Sequence, residues 1–265
     1  MPNTTDVFNF LKSIAPLEMK MDNDNSGFLV GFGEAAVSKI LLSLDITHEV
    51  ISEARNSGAE LIVAHHPLPF LPLKSVTDMD NTGHKIIRLL TSGISAICMH
   101  TNLDAAQGGV NDALANAAGI ADTVFLSDDG VTSSGDRYSY GRFGFLPKPM
   151  PMREYLPMLK AALNAQGLRY HDAGKDVYKV AVVGGSGGDY FEHALKQGCD
   201  TFVTADIKYS LFIQAKEMGL NLIDGDHFST ENLVIAPLAE KLRAQFPDAD
   251  IQVSKTHVPT AGFHI

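Results

Sequence analysis

Cysteine is almost missing. Of 265 residues only Cys98 and Cys199 carry thiols. Both stand in apolar, strand-like stretches, Ala96-Ile97-Cys98-Met99 and Gly198-Cys199-Asp200-Thr201-Phe202-Val203. Two buried, reduced thiols are therefore expected rather than a disulfide framework. Basic charge is also short: 21 Lys and Arg stand against 31 Asp and Glu, a formal net charge of −10 with a pI near 5.4. That balance argues against general nucleic-acid binding or attachment to a membrane surface, though it leaves room for a local basic pocket for a phosphate. No apolar run is long enough to span a bilayer, and there is no low-complexity stretch or charge block. Residues Met1 to Asp6 carry neither a basic region nor an apolar core, so no signal peptide is expected and the default location is the cytoplasm. What is present is ordinary: 45% hydrophobic and 20% charged residues, enough chain for one large domain or two small ones with a substantial core.

Two adjacent histidines end an apolar run, Leu61-Ile62-Val63-Ala64-His65-His66-Pro67. A short β-branched run reads as a buried strand, and its exit is where open α/β sheets place their chemistry. Neighbours on an extended chain point to opposite sides, so the two imidazoles could serve two different centres. The chain around them reads as a repeat. Val37 to Asp45 aligns with Val177 to Gly185 at an offset of 140, without a gap as far as Ala64 over Thr204. Each copy is a strand, a loop, a short helix and a second strand. The helical stripes are Val50, Ile51 and Ala54 in one copy and Tyr190, Phe191 and Ala194 in the other, and both helices end at a glycine, Gly58 and Gly198, suited to a left-handed cap. Parallel strand pairs with right-handed crossovers follow. The likeness continues until His100 falls over His227 and Asp104 over Glu231, so both copies read His-x-x-x-carboxylate just past a strand. Duplication explains this; so does the shared physics of α/β units. Either way the expected fold class is α/β in two similar halves, each a mostly parallel or mixed sheet flanked by helices. The halves are read as residues 1–127 and 128–265, with about 225–265 packing back to complete a site in the cleft between them. The stretch from Asp128 to Tyr140 reads as the linker, Tyr140 to Leu146 as a strand, Met152 to Gln166 as a helix interrupted by Pro157, and residues 231–246 as the last helix.

His65, His66, Asp104, His227 and Glu231 all fall at expected C-terminal ends of strands. Three imidazoles and two carboxylates, with no thiolate, suit Zn, Fe, Mn, Co or Ni rather than Mg or Ca. Five ligands are too many for one tetrahedral ion that keeps a position open. They fit two ions sharing a carboxylate and a bridging water, roughly 3.5–4 Å apart. Each piece has a plainer explanation: a capped turn for the histidine pair, an i,i+4 helix contact for His227 and Glu231 with Ser229 or Thr230 as N-cap, an N-cap for Asp104. His100, one turn before Asp104, reads as a proton shuttle, as a residue orienting a ligand, or as a buried structural histidine. Lys208 and Tyr209 read as contacts for an anionic substrate or as a solvated loop. Gly184-Gly185-Ser186-Gly187-Gly188 could cradle a phosphate, but it lacks the Lys-Ser/Thr of a P-loop and the dinucleotide fingerprint, and a turn needing positive φ explains it equally well. His48, His84, His171, His193, His257 and His264 show no ligand spacing.

These stretches, together with Asp24 to Gly31, Leu44-Asp45-Ile46-Thr47, His65 to Phe70, His100 to Ala105, Gly108 to Asp112 and Asp226 to Glu231, resemble the Nif-three-like dinuclear metal protein family, widely named GTP cyclohydrolase 1 type 2 homologues. The resemblance covers nearly the whole chain. It implies two divalent transition-metal ions per subunit, His65, Asp104 and Glu231 on one and His66, His227 and Glu231 on the other, with Glu231 bridging. It implies a metal-dependent hydrolase whose metal-bridged hydroxide attacks a small, nucleotide-like substrate; if the family name holds, the substrate is GTP, opened at C8 of guanine with loss of formate. A regulatory or metal-handling protein without catalysis is the alternative. It also implies a homo-oligomer, a ring-shaped hexamer. Two departures stand out: Thr204-Ala205-Asp206 replaces the usual Thr-Gly-Glu, and the long middle insertion of larger members is missing.

Overall fold

The computed structural model describes residues 1–264. In chain order the first elements are α1 (Thr4–Ile14), β1 (Gly27–Val30), β2 (Lys39–Ser43), α2 (His48–Ser57), β3 (Leu61–Ala64), α3 (Asn81–Thr91), β4 (Ser95–Cys98) and α4 (Thr101–Ala105). Then come α5 (Val110–Ala117), β5 (Ala121–Phe125), β6 (Gly130–Val131), β7 (Arg137–Tyr138), β8 (Arg142–Met150), α6 (Met152–Ala162), β9 (Arg169–His171), β10 (Val177–Val182), α7 (Phe191–Lys196), β11 (Thr201–Thr204), α8 (Tyr209–Met218), β12 (Asn221–Asp224) and α9 (His227–Glu231). The last are α10 (Ile235–Gln245) and β13 (Asp250–Val253). The chain divides into two compact units: Met1–Leu103 with Val234–Val258, and Asp104–Leu233 with the residues from Pro259 on. Among the described residues no helix is long and apolar enough to cross a membrane.

The first unit is built on a five-stranded sheet of order β1-β4-β3-β2-β13, parallel except for β1. Strands β3 and β4 are buried at every residue, as parallel strands covered on both faces must be, which is why their sequences run apolar without alternating. Leu41, Ile62, Ala96 and Cys98 pack with Val50, Ile51 and Ala54 of α2 and with Ile86 and Leu89 of α3. Each fully buried aliphatic side chain there contributes about 1.5–3 kcal/mol. Helix α2 stops at Gly58, whose φ of +75° gives the left-handed cap its sequence suggested.

The second unit has a six-stranded sheet of order β5-β8-β10-β11-β12-β9, in which β10, β11 and β12 are parallel and their neighbours antiparallel. Alternation along β10 sorts the core. Val180 and Val182 pack with Leu114 of α5 and Tyr155 and Leu159 of α6, while Ala181 packs with Phe191 and Ala194 of α7. The units thus repeat one plan, β2-α2-β3-α3-β4 and β10-α7-β11-α8-β12, and the mixed α/β class read from the sequence holds. The stretch read as a linker instead contains a hairpin, β6 paired with β7. The C-terminus adds β13 to the first sheet, parallel to β2, a strand the sequence did not announce.

Candidate metal centre

In the first unit, three adjacent parallel strands deliver their chemistry at one edge. Asp45 follows β2, His65 and His66 follow β3, and His100 follows β4. His65 turns toward β4, its Nδ1–H donating to the carbonyl of Met99 at 2.8 Å. His66 turns the other way, its Nδ1–H donating to Asp45 Oδ1 at 2.8 Å. His100 donates from Nδ1 to Asp24 Oδ1 at 2.7 Å. A carbonyl or carboxylate can only accept, so each bond puts the proton on Nδ1 and presents Nε2 as the basic nitrogen. The ring centroids of the three histidines are 5.0, 5.1 and 5.5 Å apart, and their ligand atoms lie within 4.8 Å of one another.

Asp24 and Asp45 are the anchors the sequence did not assign. Burial pushes both carboxyls up, but hydrogen bonds outweigh it and hold them well below the ordinary carboxylate range. The donors are His100, Ser26 and Thr101 for Asp24, and His257 and His66 for Asp45. Asp24 Oδ2 also accepts from Thr101 Oγ1 at 2.7 Å. Their signal was faint: Asp45 stands at the end of β2, where the chain places acceptors, but Asp24 sits in a loop 76 residues from His100.

In the second unit the corresponding edge holds Gly184 and Gly185 after β10, Asp206 after β11, and His227 and Glu231 after β12. The helix carrying the last two starts earlier than its sequence suggested. Asp226, not Ser229 or Thr230, is the N-cap, its side chain accepting from the Ser229 N–H at 3.0 Å. His227 and Glu231 are thus one turn apart on a single short helix, with Nε2 and Oε2 at 3.0 Å. His227 Nδ1–H donates to Asp206 Oδ2 at 2.7 Å. Burial lowers the His227 pKa, but the bonds and charges of Glu231 and Asp206 win and raise it to about 9. The shorter Asp206 reaches the ring from a left-handed backbone, φ +53°. Glu231 is only 3% exposed, and the glycine loop makes room for it. A Cβ on Gly185 would stand 2.0 Å from Glu231 Oε1, and one on Gly187 would stand 2.3 Å from Val183 Cγ1. The loop's glycines answer to this packing and to the φ of +60° at Gly185, so a phosphate is not needed to explain them. Buried Asn111 ties the surroundings together, donating to the carbonyls of Asp104 (3.2 Å) and Tyr140 (2.9 Å) and accepting from Gly184 N–H (2.9 Å). Lys208 and Tyr209, at the start of α8, are exposed.

The donor set fits a transition metal. The side chains of His65, His66, His100, Asp104, His227 and Glu231 all belong to groups that could hold an ion. All four imidazoles have Nδ1 committed to an oxygen, the arrangement that orients metal-binding histidines. Fold and site together define an α/β protein with histidine and carboxylate groups at the exits of parallel strands that could hold a metal ion. More particularly, the chain belongs to the Duf34/NIF3 (NGG1p interacting factor 3) family, whose profile matches residues 2–260. A Clostridium perfringens protein named GTP cyclohydrolase 1 type 2 homolog is 38% identical over 248 residues, 93% of each chain. A Streptomyces coelicolor protein of the same name is 34% identical over 264 residues, 97% of this chain and 92% of that one. A solved Bacillus cereus protein related to NIF3 superposes with a TM-score of 0.90 at 25% identity, covering 100% of both chains. A Staphylococcus aureus hypothetical protein does so with a TM-score of 0.90 at 26% identity and 99% coverage of each.

Proposed function

We propose that His65, His66, Asp104, His227 and Glu231 hold two divalent transition-metal ions, with Glu231 shared, and that the protein is a metal-dependent hydrolase of a small, nucleotide-like substrate. One observation carries the reading: His65 and His66 keep their proton on Nδ1, bonded to Met99 O and to Asp45, which makes Nε2 the ligand nitrogen, and the Nδ1–H bond of His227 to Asp206 aims its Nε2 at Glu231, 3.0 Å away, where an ion would displace the proton between them. When bound, such a pair of ions lowers the pKa of water and polarises the bond under attack. The chain's own residues do the rest. Asp45 and Asp206 fix two rings in rotation and tautomer. His100, with its proton held on Nδ1 by Asp24, offers Nε2 to take up a proton and pass it on. GTP as the substrate is supported by the names of the relatives alone. A cytoplasmic location fits the scarcity of cysteine, and assembly into a hexameric ring follows from the resemblance.

Metal analysis of the purified protein tests the site: about two transition-metal ions per chain are expected, with loss in His66→Ala and in Glu231→Ala. Unchanged metal content in both variants rules out the ligand set. Hydrolysis is tested by incubating metal-loaded protein with GTP and with panels of phosphodiesters and amides. A turnover that follows metal loading and disappears in Asp104→Ala is expected; tight ligand binding without any turnover marks a regulatory or metal-handling protein instead.

A further inference from the structure

The last strand of the first unit ends in a short strap that reaches back to the anchor of His66. After β13, Ser254 N–H donates to Leu42 O at 2.8 Å. Glu53 on α2 then clamps the strap, accepting from Ser254 Oγ at 2.6 Å, Lys255 N–H at 2.9 Å and Thr256 Oγ1 at 2.7 Å. The clamp delivers His257, whose side chain is only 7% exposed. His257 N–H donates to Ser254 Oγ at 3.2 Å, and its Nε2–H donates to Asp45 Oδ2 at 2.9 Å. The other oxygen of the same carboxylate accepts from His66. Asp45 is therefore gripped at both oxygens by imidazoles from opposite ends of the unit's sequence.

The second grip matters because Asp45 is 41% exposed. A half-exposed carboxylate held by one bond rotates and is shared with water, and a hydrogen bond shared with water orients its partner weakly. Bonds at both oxygens fix the plane of the carboxylate and aim Oδ1 at His66.

We propose that His257 is a positioning residue for His66: through Asp45 it fixes the rotation of the His66 ring and keeps its proton on Nδ1, so the strap Ser254–His257 sets how strongly His66 takes a metal ion. The proposal rests on His66 being a metal ligand. Among the described residues, His257 is in none of the side-chain groups that could hold an ion and acts through Asp45.

The test uses the full chain as His257→Ala, His257→Gln and Glu53→Gln variants, with His66→Ala alongside. Gln can still donate to Asp45 Oδ2, and Glu53→Gln loosens the strap while leaving His257 in place. In chelated protein, long-range proton–nitrogen spectra of the histidines should show His66 as the Nδ1–H tautomer in wild type and in His257→Gln, and as a mixture in His257→Ala. Zinc titrated against a chromophoric chelator should bind about ten- to a hundredfold more weakly to His257→Ala. His257→Gln should recover much of that loss, and Glu53→Gln should shift in the same direction as His257→Ala by less. A wild-type His66 tautomer and zinc affinity in His257→Ala, with affinity lost in His66→Ala, overturns the relay alone. Equal losses in the Gln and Ala variants overturn it too. Zinc affinity indifferent to His66→Ala overturns the ligand reading, and the relay with it.

Discussion

Of the glycines Gly184, Gly185 and Gly187, Gly185 leaves the least room for a side chain. A methyl group there meets Glu231 Oε1 at 2.0 Å and His227 Nε2 at 3.2 Å, and the φ of +60° costs a non-glycine residue about 1–2 kcal/mol. Gly185→Ala should therefore lower the free energy of unfolding in urea by that amount or more and also reduce the bound metal, since Glu231 must move. Gly58→Ala is the control. It has the same hand of backbone, φ +75°, and open space around the added carbon, so stability should fall by about 1 kcal/mol with metal content unchanged. Asp24 gives a prediction in pH. Its folded carboxyl titrates below the ordinary value of 3.8, so the folded state binds the proton less readily than the unfolded chain. The stabilisation is then complete above the unfolded pKa and is lost as pH falls through the folded one. Urea midpoints of chelated wild type should drop steeply below about pH 4, and Asp24→Asn should be less stable at neutral pH with a flatter acid limb. The histidines of the site were legible in the sequence because each stands just past an apolar run. Asp24 and Asp45 were not legible as their anchors. Which acid meets which ring depends on the order of β2, β3 and β4 in the sheet, and that order is set by packing across tens of residues.

Elements with a strong period and a clear stop could be read; those held by tertiary contacts could not. Helix α2 shows its stripe and its glycine cap, and β3 and β4 show as unbroken apolar runs. Strand β13, Asp-Ile-Gln-Val, has too little apolar pattern to stand out, and it becomes a strand by pairing with the edge of β2. The hairpin of β6 and β7 pairs only two residues from each strand and offers no periodicity at all. Helix α9 was read with the wrong cap because Asp226, Ser229 and Thr230 are all good N-cap residues; the bonds that Asp226 Oδ2 accepts from Ser229 N–H at 3.0 Å and Ser229 Oγ at 2.7 Å decide in its favour. Helix α4, which carries Asp104, depends on a residue the sequence did not single out. Arg142, 2% exposed, donates to the carbonyl of Ala105 at 3.0 Å, satisfying the end of that helix, and to Asp112 Oδ1 at 2.6 Å. Breaking a buried ion pair by removing one partner typically costs about 3–5 kcal/mol. Arg142→Met should fall in that range by urea denaturation, while Arg137→Met, whose pair with Asp128 is exposed on both sides, should change stability by less than about 1 kcal/mol.

At the scale of the whole molecule, the two units have separate sheets and separate buried clusters, so each has the means to melt as its own cooperative body. An ion that binds only the native arrangement stabilises it by about 2.7 kcal/mol when present at a hundred times its dissociation constant. Calorimetry of chelated protein should then show a broad or divided transition, and zinc should move the part of it that carries the ligands to higher temperature. His66→Ala should leave the chelated profile nearly unchanged and remove most of the zinc-induced rise. If the rise survives in His66→Ala, His66 is not a ligand, even if the metal content is as expected.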